Sequence, residues 1–252
     1  MFRKVKNFKY NYEGAMEPFK IIGNTYFVGT YPASSHLIDT GEGLILIDTG
    51  YSDTLFLLIN SIYKLGFNPY DIKYIINTHW HGDHTEATAA LSHLTGAKTF
   101  IGKKDLEKAK KYFISDDVLS DGDVVTLGNT KIEVMETPGH TEGTISLFYE
   151  TEEDGVKYNV GTFGGAGANT LVKERFDYDN CREDYLKSLK RLKAKKVDVF
   201  IGNHVWNNNT EDKAEILKAT GENLFIDDKI WGEFLDFCEK RLLDIIAKDL
   251  KG

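Results

Sequence analysis

Residues 78–84 read Thr78-His79-Trp80-His81-Gly82-Asp83-His84, and no other stretch limits the fold of this chain so severely. Packing gives no reason to place three imidazoles and a carboxylate within six residues, and crowding them without a cation would be costly on protonation. Histidine nitrogen and aspartate oxygen are ligands for borderline metals such as zinc. His79 and His81 are two apart, so in an extended loop they point the same way and can reach one ion. Gly82 lets the chain turn, after which Asp83 and His84 can face a second ion beside the first, with His84 at the start of a helix. The run follows the short apolar strand Tyr74-Ile75-Ile76. The fold must therefore present it at a strand end and bring further ligands to it from elsewhere.

Two later histidines are candidates for that role. His140 lies in the tight loop Thr137-Pro138-Gly139-His140-Thr141 after a strand over 131–135, and His204 follows a strand over 197–201. All the candidate ligands thus fall at strand ends or in the loops beyond them, where catalytic groups usually collect. A lone histidine is more often a surface or core residue than a ligand, and His36 and His93 are read that way. The chain has no HExxH pair, P-loop or GxSxG motif. The glycine-rich stretch from Gly161 to Gly167 lacks the P-loop lysine. It reads as a strand-to-loop segment whose backbone passes close to metal or substrate.

The periodicities predict hairpins over 19–22 and 25–28, 36–39 and 44–48, 124–127 and 131–135, and 145–150 and 156–160, the last across an acidic turn at Thr151–Gly155. Leu44-Ile45-Leu46-Ile47 is apolar throughout, as expected of a strand buried on both faces. Leu55, Leu58, Ile59, Ile62 and Leu65 recur at helical spacing. Further helices are predicted over 85–94, 181–194, 211–219 and 231–248. Strands and helices mix in both halves, which favours an α/β (α+β) domain of two packed sheets with helices outside.

The chain has 252 residues and shows no repeat or linker, so one domain spanning 1–252 is expected. Its net charge of −8 argues against nucleic acid or an anionic membrane as main partner. The expected partner is a small-molecule substrate, and oligomeric state is not legible. No apolar run approaches the roughly 20 residues of a spanning helix. Met1 to Tyr10 is basic without the apolar segment of a signal peptide, which makes a cytoplasmic location the expectation. Cys181 and Cys238 are expected as free thiols.

The His79-x-His81-x-Asp83-His84 run, with Leu46-Ile47-Asp48-Thr49-Gly50 upstream and Thr137-Pro138-Gly139-His140-Thr141 downstream, resembles the metallo-β-lactamase superfamily over roughly residues 17–204. The resemblance implies a four-layer αββα sandwich with two zinc ions at one edge of the sheets. It implies His79, His81 and His140 as ligands of the first ion and Asp83, His84 and His204 as ligands of the second, with Asp48 orienting ligands from beneath. Many hydrolases of the superfamily place a bridging Asp where this chain has Thr162, and one lactamase subclass uses a Cys ligand near there. Neither is present, so the pattern is most similar to the third metallo-β-lactamase subclass, as are residues 18–30 and 223–227. The implied activity is hydrolysis of a cyclic amide or ester by water activated between the ions, with Asp83 also orienting the nucleophile. The serines that hold the substrate carboxylate in that subclass are missing from Phe163-Gly164-Gly165-Ala166-Gly167. A β-lactam is thus one candidate substrate beside lactones, thioesters and other esters. Tyr31, Phe56, Trp80, Phe163 and Trp206 are candidates to line the pocket, although aromatics at such places more often serve packing.

Overall fold

The run Leu44–Ile47 is apolar at every position because both of its faces are covered. Ile45 and Ile47 point into a core between two sheets, while Leu44 and Leu46 point away from it toward helices. Full burial of one such side chain contributes about 2 kcal/mol. The computed structural model describes residues 6–250, so the first five residues of the basic Met1–Tyr10 stretch lie outside the described residues.

The first sheet has seven strands in chain order: β1 (Phe19–Ile22), β2 (Thr25–Phe27), β3 (His36–Asp39), β4 (Leu44–Ile47), β5 (Ile72–Asn77), β6 (Lys98–Gly102) and β7 (Asp117–Leu119). β1 to β4 form an antiparallel meander, and β4 to β7 run parallel. The parallel crossovers carry α1 (Leu55–Lys64), α2 (Gly82–Thr85), α3 (Thr88–Thr95) and α4 (Leu106–Ala109). The second sheet holds β8 (Val124–Leu127), β9 (Thr130–Glu136), β10 (Ile145–Glu153), β11 (Val156–Thr162) and β12 (Val199–Phe200), in the order β12-β11-β10-β9-β8. α5 (Cys181–Leu192) precedes β12, and α6 (Thr210–Thr220) and α7 (Ile230–Asp249) end the chain.

Ile132, Val134, Ile145, Leu147 and Val160 of the second sheet meet Ile38, Ile45, Ile47 and Ile76 of the first in one core. Leu58, Ile62 and Leu91 of α1 and α3 cover the outer face of the first sheet. Tyr185 and Leu189 of α5, with Trp231, Phe234 and Leu235 of α7, cover that of the second. The result is the expected αββα sandwich. Among the described residues no helix is long and apolar enough to cross a membrane. Both cysteines are free and buried.

The differences from the sequence reading are local. The helix expected over 85–94 is two pieces, α2 and α3, and it begins earlier, at Gly82. The acidic hairpin turn is tighter than expected. β10 runs on through Thr151 to Glu153, and only Asp154 and Gly155 turn, both with positive φ (52° and 76°), the backbone of a two-residue type I′ connection. The short parallel strands β6 and β7 were not foreseen.

Register explains where the site lies. Ile47 of β4 pairs with Ile76 of parallel β5, so both strands deliver their next residues to the same sheet edge. Those residues are Asp48 and the 78–84 run. β11 and β12 are likewise parallel and deliver the glycine-rich loop and His204 from the facing sheet.

Candidate metal centre

Asp48 is the first residue past β4 and adopts φ 57°, a left-handed conformation that aspartate tolerates better than most residues. The turn aims its buried carboxylate at the next loop. Thr78 N donates to Oδ1 at 2.7 Å, and Thr78 Oγ1 donates to Oδ2 at 2.8 Å. His84 Nδ1 lies 2.8 Å from the same Oδ2. A carboxylate only accepts, so His84 Nδ1 carries a proton, and Nε2 is the ring atom left to face a cation once it gives up its own. The Thr78 hydroxyl has spent its proton on Asp48 and can only accept from His79 Nδ1, 3.1 Å away. Asp48 thus sets two tautomers, one directly and one through Thr78.

Backbone carbonyls do the same for the later histidines. His140 Nδ1 donates to the Gly167 carbonyl at 2.8 Å, and His204 Nδ1 donates to the Pro32 carbonyl at 2.8 Å. The glycine-rich segment therefore does approach the site by its backbone. A Cβ at Gly167 would lie 3.0 Å from His140 Cε1, and one at Gly165 would lie 2.9 Å from His140 Cβ. The close approach requires the missing side chains. Gly139, at φ 144°, places the preceding turn against Tyr185.

The nitrogens left free converge. Ligand atoms of His79, His81 and His140 all lie within 4.8 Å of one another, as do those of His79, Asp83 and His84. His81 Nδ1 and His140 Nε2 are 2.9 Å apart. His204 Nε2 stands 3.7 Å from Asp83 Oδ2, and its ring centroid is 5.1 Å from that of His84. All six candidate ligands of the sequence reading are thus brought together. The closest second group contains His79, however, with His204 slightly outside it.

Burial holds His79, His81, His140 and His204 below the ordinary imidazole range, to about 3 for His140 and about 4 for His204. Burial also acts to lower His84, but the Asp83 and Asp48 carboxylates outweigh it and push His84 up to about 10. Burial raises Asp83, yet the surrounding imidazoles hold it well below the usual carboxylate range. His84 Nε2 is fully buried and makes no well-formed hydrogen bond with any described residue; Asp83 Oδ2 is 3.4 Å away. Buried polar atoms are nearly always satisfied. A cation fits this geometry, since it would replace the proton on His84 Nε2 between the same carboxylates and separate the facing nitrogens of His81 and His140.

One supporting residue was not anticipated. Asp105, fully buried beyond β6, accepts from Trp80 N (3.0 Å), Thr141 Oγ1 (2.6 Å) and Gly143 N (2.8 Å). It ties the His79–His81 loop to the His140 loop, and burial raises its carboxyl to about 6. Among the aromatic candidates, Trp206 stacks flat on His204 at 4.4 Å and lines the adjoining cavity. Trp80 packs edge-on to His81, Phe163 and Tyr31 are buried in cores, and Phe56 is exposed on α1. His36 is core, against Phe27.

The site opens into two connected spaces. One, of about 380 Å³, lies over His81, Asp83, His140 and His204. The other, of about 670 Å³, shares Tyr51, Asp83, Gly167 and His204 with it and extends to α7. Such volumes suit small molecules.

Comparison with known proteins agrees with this geometry. A family profile described as Metallo-beta-lactamase superfamily matches residues 28–204. The crystal structure of a subclass B3 metallo-β-lactamase of Bradyrhizobium japonicum superposes with a TM-score of 0.88 at 29% identity, covering 96% of this chain and 97% of that one. A class B3 di-zinc metallo-β-lactamase from an Alaskan soil metagenome gives 0.85 at 26% identity, over 96% and 99% of the two chains. Among curated relatives, a hydroxyacylglutathione hydrolase of Chelativorans sp. is 33% identical over 145 residues, 57% of this chain and 51% of that protein. An N-acyl homoserine lactonase of Bacillus thuringiensis is 27% identical over 156 residues, 49% and 60% respectively. The chain thus spans between about half and two thirds of the length of the first curated relatives it matches.

Proposed function

The chain belongs to the metallo-β-lactamase superfamily, and from that premise we propose that it is a hydrolase carrying two zinc ions and acting on a small molecule, with β-lactamase-like cleavage of a cyclic amide or ester carbonyl. The observation that carries this reading is the convergence of five imidazoles and Asp83 around a buried, unsatisfied His84 Nε2. In this reading His79, His81 and His140 hold one ion, and Asp83, His84 and His204 hold the other. Zinc bound there would supply a Lewis acid for the carbonyl and an activated water as nucleophile.

The chain's own residues prepare that chemistry. Asp48, Thr78, Gly167 and Pro32 hold four imidazoles in the tautomer that presents Nε2. Asp83 is the one carboxylate among the described residues that line the larger cavity. In this reading Asp83 would accept a hydrogen bond from the attacking water and so fix its approach. Asp105 keeps the two ligand loops in register.

A second reading, a lactonase, thioesterase or other esterase of the same fold, is favoured by the lactonase and hydroxyacylglutathione hydrolase relatives and by the absence of serine from 163–167. Elemental analysis of the purified protein, with turnover of nitrocefin, an N-acyl lactone and a thioester, tests both. Two zinc ions per chain and cleavage of nitrocefin support the first reading. Cleavage confined to the lactone or thioester supports the second. Iron in place of zinc, or no turnover with any of the three, overturns both.

A further inference from the structure

His84 and His204, the two histidines assigned to the second ion, are held differently. His84 is fully buried and bonded to Asp48. His204 keeps 17% of its side chain exposed, and one hydrogen bond, to the Pro32 carbonyl, holds its ring. A hydrogen bond tolerates a broad range of angles, so this one fixes where Nδ1 points but sets the ring plane only loosely. The indole of Trp206 supplies the missing restraint. Its ring centroid lies 4.4 Å from that of His204, and the two planes are 8° from parallel. Trp206 is itself braced by Tyr31, a buried residue whose ring is 5.9 Å away and tilted by 45°. Phe8 packs edge-on to the Tyr31 ring at 5.5 Å, and Tyr31 N donates to the Gly14 carbonyl at 2.7 Å. Tyr31 and Pro32 are adjacent, so one dipeptide holds His204 twice, through its carbonyl and through the indole.

We propose that Trp206 is a positioning residue for the second metal ion, and that His204 holds that ion tightly only while the indole covers its face. The proposal rests on the two-ion reading given above, and within it the effect has a definite sign. An imidazole that donates its lone pair to a cation becomes electron-poor, and an electron-rich indole face attracts it more strongly than it attracts the free ring. The stack therefore favours the loaded site as well as fixing the ring plane. Among the described residues Trp206 makes ring contacts with Tyr31 and His204 but none with His79, His81 or His140, so the first ion should not depend on it.

The test sets a chromophoric chelator against the zinc-loaded full chain, in the parent and in Trp206→Leu, Trp206→Phe and His204→Ala. Trp206→Leu is expected to weaken one ion by about tenfold or more, the same ion that His204→Ala loses, and to leave the other unchanged. Trp206→Phe keeps a ring face and should recover part of that loss; it decides the matter alone if the leucine variant does not fold, by weakening the same single ion. Cobalt(II) in place of zinc gives a second readout. Bound at His204, it should quench a component of tryptophan emission that both Trp206 variants lack and that His204→Ala leaves unquenched. Unchanged affinity for both ions overturns the proposal. So does an equal loss at both, because the indole then merely supports the fold, and so does a leucine variant as tight as the phenylalanine one. Cobalt(II) quenching that is the same with and without Trp206 also counts against it. A parent chain that holds fewer than two ions refutes the two-ion reading itself and takes the proposal with it, an outcome seen without any variant.

Discussion

Replacing Asp48 by Asn is the sharpest perturbation of the metal centre, because it changes hydrogen-bond polarity while preserving shape. Asparagine tolerates φ 57° as well as aspartate, so the turn after β4 should survive. Its orientation is dictated. The Thr78 amide can only donate, so the Asn oxygen must take the place of Oδ1. The amide nitrogen then faces both Thr78 Oγ1 and His84 Nδ1, each 2.8 Å from the present Oδ2. His84 Nδ1 must become the acceptor and its proton moves to Nε2, which blocks the ligand atom. The Thr78 hydroxyl, now an acceptor from Asn, turns its proton to His79 Nδ1 and reverses that ring too. Outer partners of metal ligands are commonly worth 10- to 100-fold in affinity. With two of the imidazoles reversed, zinc affinity should fall by about 100-fold. The loss of charge-assisted bonds costs stability as well, about 2 kcal/mol. Competition with a chromophoric chelator measures the first quantity, and urea unfolding in excess chelator measures the second. Unchanged zinc affinity in a folded Asp48→Asn protein would refute the tautomer argument, as would a loss of affinity no greater than the loss of stability accounts for.

His79 belongs to both of the closest ligand groups, so His79→Ala should hold less than one zinc per chain by elemental analysis, whereas His204→Ala should retain one; equal stoichiometry in the two variants would contradict the geometry. Burial lowers His36 to about 3, so the unfolded chain takes up this proton first, and the stability His36 allows is lost as pH falls from about 6.5 toward 3. His36→Leu should flatten the acid limb of a melting-temperature profile between pH 7 and 4, and parallel profiles would count against the assignment. Asp105 has the opposite sign. Its folded value is raised to about 6, so the native state holds the proton longer than the unfolded chain and this contribution weakens as pH rises from about 4 to 6. In urea unfolding, the deficit of Asp105→Asn relative to the parent protein should narrow across that interval.

The parts of the site that were legible are those whose chemistry is written in consecutive residues. Spacing alone marks His79, His81, Asp83 and His84, because no packing requirement produces that run. His140 and His204 became candidates through their place after apolar strands, and the two sheets then bring them within reach of the first cluster. Asp105 shows where this kind of reading fails. After Lys103-Lys104 it resembles the exposed charge of a solvated helix, and its burial arises from accepting bonds from two loops separated by about sixty residues of chain. β6 and β7 escaped for a related reason. They are short, and their pairing is parallel, so no hairpin turn announces them.

The deepest gap concerns the carbonyls that fix the histidine tautomers. Gly167 and Pro32 act through main-chain oxygen, an atom every residue carries, so no side-chain pattern distinguishes them. What composition can register is the consequence. A main chain that must approach an imidazole within hydrogen-bonding distance excludes a Cβ on the facing side, and the glycines at 165 and 167 satisfy that exclusion. A glycine cluster beyond a strand is therefore better read as a record of what the backbone touches than of how freely it moves. On that reading Gly167→Ala should disturb the orientation of His140, and with it metal binding, more than it disturbs the stability of a loop that lies outside both sheets.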